Sequence, residues 1–209
     1  MQVVGTYTFK QEFSILLYPA AEQNLDSFLE GIIADYPKSG GIIHFEPAFP
    51  KLHAVYTFFG CLASTLRFLH RKLTKHMDIK PKNLLVKRRH GGGQSPEAKY
   101  KIYLADFGIT RSYARAADAE TESPTGFTRL YAAPEVADQR KRGFPADVFS
   151  LGCVFTEMLG VLTSTDREAT FKSLKSLRVS NEYAPASYAE LVISKQAKLS
   201  SLSLLACNF

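Results

Sequence analysis

Cysteine is scarce in this chain: three in 209 residues, Cys61, Cys153 and Cys207, with no C-x-x-C spacing. There is no H-E-x-x-H and no Cys/His cluster, which argues against a structural zinc. Cys61 and Cys153 fall inside apolar helical patterns and read as core thiols. Long hydrophobic runs are missing as well. No run of about 18 or more apolar residues occurs, so no membrane contact is expected. Residues Met1 to Tyr7 carry neither a basic stretch nor an uninterrupted apolar one, so no signal peptide is expected there. An intracellular setting (cytoplasm or nucleus) with reduced thiols follows as the expectation. Basic runs interleaved with aromatics are also lacking, so no nucleic-acid partner is expected, despite a formal net charge of +6. That charge reads first as a solvated basic surface and second as a face that attracts ATP or an acidic partner.

What is present is enough apolar residue, 45% of the chain, for a globular core. Residues 3–9 and 13–18 read as two strands joined by Lys10-Gln11-Glu12. Phe13, Ile15 and Leu17 alternate with Ser14 and Leu16, so the second strand is expected to be mostly buried, ending at Pro19. Asn24 is placed to cap a short helix from Leu25 to about Gly31. The Pro/Gly signals of 35–50 predict a loop. Val55, Phe59, Leu62, Leu66, Leu69 and Leu73 then recur at steps of four and three, one face of a long amphipathic helix. Short strands are expected at 84–86 and 102–104, with a long loop over 87–101 containing Gly91-Gly92-Gly93. The run His90-Gly91-Gly92-Gly93 is not an esterase oxyanion loop, because no G-x-S-x-G elbow accompanies it. No helix pattern follows it, so it is not a phosphate-cradling G-x-G-x-x-G either. From Asp147 to Leu159 apolar residues occur all round the helix, which predicts burial on every face. After Gly160 the chain is rich in Ser, Thr and Lys, its periodicity fades, and residues 180–209 suggest no function.

The chemistry concentrates in three segments: His76-Met77-Asp78-Ile79-Lys80-Pro81-Lys82-Asn83, Asp106-Phe107-Gly108 and Ala133-Pro134-Glu135. They supply a carboxylate for an acceptor hydroxyl, a cation for a moving phosphate, and an Asn and an Asp for Mg²⁺, the groups phosphoryl transfer needs. The order H-x-D-x-K-x-x-N, D-F-G, A-P-E resembles the eukaryotic-type protein kinase family, Ser/Thr branch. The run Asp147-Val148-Phe149-Ser150-Leu151-Gly152 matches the start of the central helix of that family's large lobe.

The resemblance implies an α+β, protein kinase-like fold. It would comprise a remnant of small-lobe strands over 1–18, a hinge and mainly helical large lobe over 19–160, and a tail of uncertain structure over 161–209. It implies ATP and Mg²⁺ as cofactors and a protein substrate whose Ser/Thr hydroxyls take the γ-phosphate; it does not give the oligomeric state. Asp78 would be the catalytic base and Lys80 would contact the transferred phosphate. Asn83 and Asp106 would hold Mg²⁺. Leu17-Tyr18-Pro19-Ala20 looks like the hinge, with Leu17 the gatekeeper, backbone groups of Tyr18 and Ala20 facing adenine, and Leu85 the apolar floor. Thr128 would sit against Asp78 and Lys80. Glu135 and Asp147 would be structural, the first paired with an Arg and the second holding the catalytic-loop backbone. Thr121, Ser123 and Thr125 lie where the family carries activating phosphosites.

The pattern also departs from the family. Met77 stands where most kinases have a phosphate-reading Arg. A Gly-rich loop, a V-A-I-K-like strand Lys and its helix Glu are not found, and Lys10 lies too close to the hinge to replace them. The recognisable motifs cover about residues 3–160, as expected of a kinase domain cut short at both ends. Two readings therefore stay open: a Ser/Thr kinase and a non-catalytic, pseudokinase-like nucleotide-binding or interaction module. A small-molecule kinase is a third.

Overall fold

The computed structural model describes residues 2–35, 49–89, 99–120, 129–138, 140–164 and 166–180. Two compact units emerge, one formed by 1–72 and 79–108, the other by 73–78 and 109–209.

The first unit opens with β1 (Gln2–Phe9) and β2 (Glu12–Tyr18), an antiparallel pair. Phe9 pairs with Glu12, leaving Lys10 and Gln11 as a two-residue turn, and Lys10 takes the left-handed φ of 54°. Burial of the second strand is not observed. Phe13 is 66% exposed and Ile15, Leu16, Leu17 and Tyr18 are exposed too. Alternating residues are buried only when another layer covers the sheet, and among the described residues β1 and β2 pair only with each other. The Tyr18–Pro19 peptide is cis.

Next come β3 (Gln23–Asn24) and α1 (Leu25–Ala34), followed by α2 (Phe49–Arg71). The Asn24 side chain accepts from the Ser27 N–H at 3.0 Å, as expected of a cap, and α1 runs a turn longer than the sequence suggested. Leu25, Phe28, Leu29 and Ile32 make its buried face. From α2 come Val55, Phe58, Leu62 and Leu66; the buried ring is Phe58, while Phe59 is half-buried. An antiparallel sheet in the order β3–β5–β6 closes this core, with β5 (Leu84–Arg88) between β3 and β6 (Tyr100–Leu104). Phe28 stands at the centre, its ring 5.0 Å edge-on from Tyr100 and 5.7 Å from Phe58. The ladder of β5 and β6 extends past the expected strands, since the Arg89 N–H donates to the Lys99 carbonyl at 2.8 Å. The two ends of the loop expected over 87–101 are therefore paired backbone; 90–98 fall outside the described residues, as do 36–48.

In the second unit β4 (Thr74–Lys75) pairs antiparallel with β7 (Arg111–Ser112). Then come α3 (Pro134–Ala137), α4 (Pro145–Thr163) and α5 (Arg167–Ser180). The core uses Leu151, Cys153, Val154, Met158 and Val161 of α4 with Phe171 and Leu174 of α5. Burial of α4 on every face is not observed: Val148, in its first turn, is exposed and Phe149 and Phe155 are half-buried. Apolar composition alone does not report where a layer ends. Both α2 and α4 are long and apolar enough to pass for membrane spans by composition, yet α4 carries the buried charges Asp147 and Glu157. The fading pattern after Gly160 hid α5. Its signal was Asp166, whose carboxylate accepts from the Ala169 N–H at 2.9 Å as an N-cap.

At Gly160, α4 and α5 approach closely. A Cβ there would lie 3.0 Å from Leu174 Cδ1 and 3.3 Å from Thr170 Cγ2, whereas a Cβ at Gly60 in α2 would meet nothing within 4 Å. Gly60→Ala should stabilise the protein by about 0.5–1 kcal/mol through helix propensity alone. Gly160→Ala should fall at least about 1 kcal/mol short of that gain, because the new methyl crowds its neighbours. Urea unfolding of both variants measures the difference, and equal gains would refute the close approach. The exposed hairpin makes a separate prediction. Replacing Phe9, Phe13 and Ile15 by Thr keeps strand propensity, removes apolar surface and should raise the monomer fraction in sedimentation velocity. An unchanged distribution would show that this surface does not drive association.

Candidate active site

Three backbone constraints in succession fix the segment leading to Asp78. The Asp147 carboxylate, 2% exposed in the first turn of α4, accepts from the His76 N–H at 2.8 Å and the Met77 N–H at 2.8 Å. His76 is buried, and its Nδ1 accepts from the Asp78 N–H at 3.3 Å, which places the imidazole proton on Nε2. Thr110, after D-F-G, donates its hydroxyl to the His76 carbonyl at 3.4 Å. Met77 sits at φ 71°. A left-handed conformation costs a non-glycine residue about 1–2 kcal/mol, and the charge-assisted bond to its N–H offsets that cost. Asp147 thus holds the backbone of His76 and Met77, in the segment the motif marks as the candidate catalytic loop. Phe107, the middle residue of D-F-G, is exposed.

α4 fixes a second segment of the same unit. Ser150 Oγ donates to the Tyr131 carbonyl at 2.7 Å, and the Tyr131 hydroxyl donates to Glu157 Oε1 at 3.0 Å. Tyr131 lies in the 3₁₀ turn Arg129–Tyr131, which leads into Ala133-Pro134-Glu135. Here Glu135 is half-buried, and its carbonyl accepts from the Arg140 N–H at 2.8 Å. Thr121, Ser123, Thr125 and Thr128 lie outside the described residues.

The other candidate residues belong to the first unit. Pro81–Asn83 form a 3₁₀ turn whose Asn83 N–H donates to the Lys80 carbonyl at 2.9 Å. Asn83 is buried. Its carbonyl accepts from the Ala105 N–H at 2.9 Å, one rung beyond the Leu84–Leu104 pair. That rung puts Asn83 and Asp106 at the adjoining ends of neighbouring strands. Asp106 is exposed, at φ 63°, and its Oδ1 accepts from the Gly108 N–H at 3.4 Å. Two hard oxygen donors so placed fit Mg²⁺, which keeps several waters and needs few protein ligands.

Leu17 and Tyr18 end β2 and are exposed. The Ala20 carbonyl accepts from Lys87 Nζ at 2.9 Å. Leu85, half-buried, pairs with Asn24, so this candidate floor residue lies beside the chain that follows the candidate hinge segment. Sequence reasoning missed Glu22, which anchors this corner. Its carboxylate accepts from the Arg88 N–H at 2.8 Å and lies 3.4 Å from Lys87 Nζ. The Arg88 N–H, first among the causes, holds its carboxyl below the usual range. Only geometry reveals Glu22, because its partner amide belongs to a strand some 65 residues away.

Residues 2–199 match the family model described as the protein kinase domain. The chain belongs to the protein kinase domain family. The matched stretch runs past the last motif, near residue 160, and takes in α5. Among curated relatives, this kinase-family chain is 41% identical over 95 residues to cyclin-dependent kinase 4 of Xenopus laevis, covering 46% of this chain and 26% of that protein. It is 29% identical over 128 residues to the calcium/calmodulin-dependent protein kinase cmkB of Emericella nidulans, covering 61% and 30%. It is 28% identical over 160 residues to the serine/threonine-protein kinase nekl-2 of Caenorhabditis elegans, covering 69% and 41%. The chain thus spans well under half the length of these relatives.

Asp147→Asn tests the constraint on the kinase loop. The amide keeps one acceptor and turns a donor toward a backbone N–H, so unfolding stability should drop by about 2–3 kcal/mol. Asp138, which pairs with Arg140 at 2.7 Å on the surface, provides the contrast. Asp138→Asn should cost less than about 0.5 kcal/mol. Equal losses in urea unfolding would contradict the anchoring role.

Proposed function

We propose that this chain carries the nucleotide-binding and phosphoryl-transfer residues of a Ser/Thr protein kinase, with ATP and Mg²⁺ as cofactors and a protein hydroxyl as acceptor. The observation that carries the reading is the Ala105–Asn83 rung, which brings the backbone of Asn83 against that of Ala105, the residue before Asp106. Asn83 and Asp106 would hold Mg²⁺, and Leu17, Tyr18, Ala20 and Leu85 would receive the adenine. Bound Mg·ATP would supply the phosphoryl group and the divalent charge that offsets its oxygens. Asp78 would accept the proton of the substrate hydroxyl, its backbone held by His76. Lys80 would hold its ammonium on the transferred phosphate. An intracellular setting goes with this reading, and Cys61 and Cys153 are both free thiols.

One observation favours the non-catalytic alternative. Lys10, the cation nearest the hinge in β1–β2, sits in the turn with its ammonium 5.5 Å over the Phe9 ring, not on a strand where a phosphate-pairing lysine would be. Thermal unfolding with Mg·ATP separates the possibilities. At ten times Kd, ATP should raise Tm by roughly 3–6 °C. Asp106→Asn should abolish the rise, and Asp78→Asn should keep it while losing phosphorylation of a Ser/Thr peptide. A shift with no phosphorylation by the parent chain would favour the nucleotide-binding module. No shift at millimolar Mg·ATP would reject both nucleotide readings.

A further inference from the structure

Lys75 immediately precedes the catalytic loop and is 1% exposed. Its ammonium donates to the Ala119 carbonyl and, at 3.0 Å, to the Arg142 carbonyl, and lies 4.8 Å over the Tyr113 ring. Those contacts join three stretches of the second unit: strand β4, the 3₁₀ turn Ala116–Ala119 and the approach to α4. Strand β4 and the residue before it are also tied to 111–113, just ahead of that turn, by the β4–β7 pairing, by Thr74 Oγ1 against Ser112 Oγ at 2.9 Å, and by the Tyr113 N–H on the Leu73 carbonyl at 3.0 Å. Burying an ammonium is costly unless its donors are satisfied, so a lysine at this position implies a geometry that satisfies it. Two residues on, Met77 has no means of gripping a phosphate.

We propose that Lys75 is a positioning residue that clamps the segment after D-F-G, residues 111–120, to the catalytic loop, so that its order does not depend on phosphorylation of Thr121, Ser123 or Thr125. The proposal rests on the kinase reading for its purpose, but the clamp itself is independent of ATP. A phosphate-reading Arg works only once the segment is modified. Lys75 reaches main-chain carbonyls, which are always present, and the Tyr113 face adds a cation–π contact in a water-excluded setting. Asp147 then fixes the next two residues from the opposite partner, so 75, 76 and 77 are all held from α4 or its approach.

Amide hydrogen exchange on the full chain tests this. Lys75→Met keeps the side-chain length and removes the donors. Exchange across 111–120 should quicken by about tenfold or more, the size expected for losing a charge-assisted hydrogen bond, while amides within α4 keep their rates. The triple variant Thr121→Ala, Ser123→Ala, Thr125→Ala should leave 111–120 as in the parent. A spectroscopic readout keeps the test decisive if Lys75→Met does not fold. In the parent, one lysine ammonium resonance should be protected from water exchange, and Tyr113→Leu should shift it by removing the ring current. Unchanged exchange in Lys75→Met, loosening that spreads through α4, faster exchange in the triple variant, or no protected ammonium would each overturn the clamp. Failure of the kinase reading would register separately, as the lack of a Mg·ATP thermal shift.

Discussion

The carboxylate of Asp147 is the constraint on which the second unit depends. It is buried at the start of α4, where the helix dipole favours an anion, and it accepts the amides of His76 and Met77. Without those two bonds the left-handed Met77 has nothing to offset its backbone cost, and His76 has no fixed place from which to hold Asp78. The same helix, one turn on, presents Ser150 and then Glu157 to Tyr131. A single buried helix therefore sets the backbone of both the Asp78 segment and the segment that opens A-P-E. Its apolar core residues position three polar ones, and the polar ones position the candidate chemistry.

The first unit follows a different logic. There the metal-binding candidates are set by strand register, not by a buried charge. Asn83 and Asp106 come together because β5 and β6 pair through Leu84 and Leu104 and the ladder continues one rung to Ala105. A slip of one residue would turn the side chains of one strand to the other face relative to its partner. The Phe28–Tyr100 and Phe28–Phe58 contacts hold that register, since Tyr100 belongs to β6 and Phe58 to α2. Glu22 pins the far end of β5 in the same manner, by taking the Arg88 amide that the ladder leaves over.

Much of this was legible from residue order. The A-P-E, D-F-G and catalytic-loop segments named the family before any fold was drawn, and the Asn24 cap and the apolar face of α2 announced their helices. Hidden features were those whose cause is distant in sequence. The burial of Lys75 depends on Ala119 and Arg142, and a lysine between Thr74 and His76 reads as surface until those carbonyls are in place. Helix α5 buries only two described apolar residues in its later turns, too few for periodicity to register, and its cap, Asp166, sits in a Ser/Thr-rich stretch that looks like a loop. The alternation of β2 was legible and misleading: it specifies which residues share a face, but not whether anything covers that face.

Placing the candidates in two units also divides their chemistry. All the residues assigned to nucleotide and metal lie in the first unit, while Asp78 and the segment after D-F-G lie in the second. The chain passes from one to the other between Lys72 and Leu73, between Asp78 and Ile79, and again between Gly108 and Ile109. Only Ile79, itself buried, separates the candidate base from the lysine candidate for the transferred phosphate. The spacing H-x-D-x-K thus constrains the chemistry more tightly than any motif taken alone. On the proposed kinase reading, the acceptor's proton and the donor's charge would be handled within two residues of one another. Rigid anchoring of this loop matters for that reason, since an error in the backbone of Asp78 passes directly to Lys80. Within the second unit Asp147 and Lys75 anchor the segment up to Asp78, and within the first unit the Pro81–Asn83 turn takes the Lys80 carbonyl.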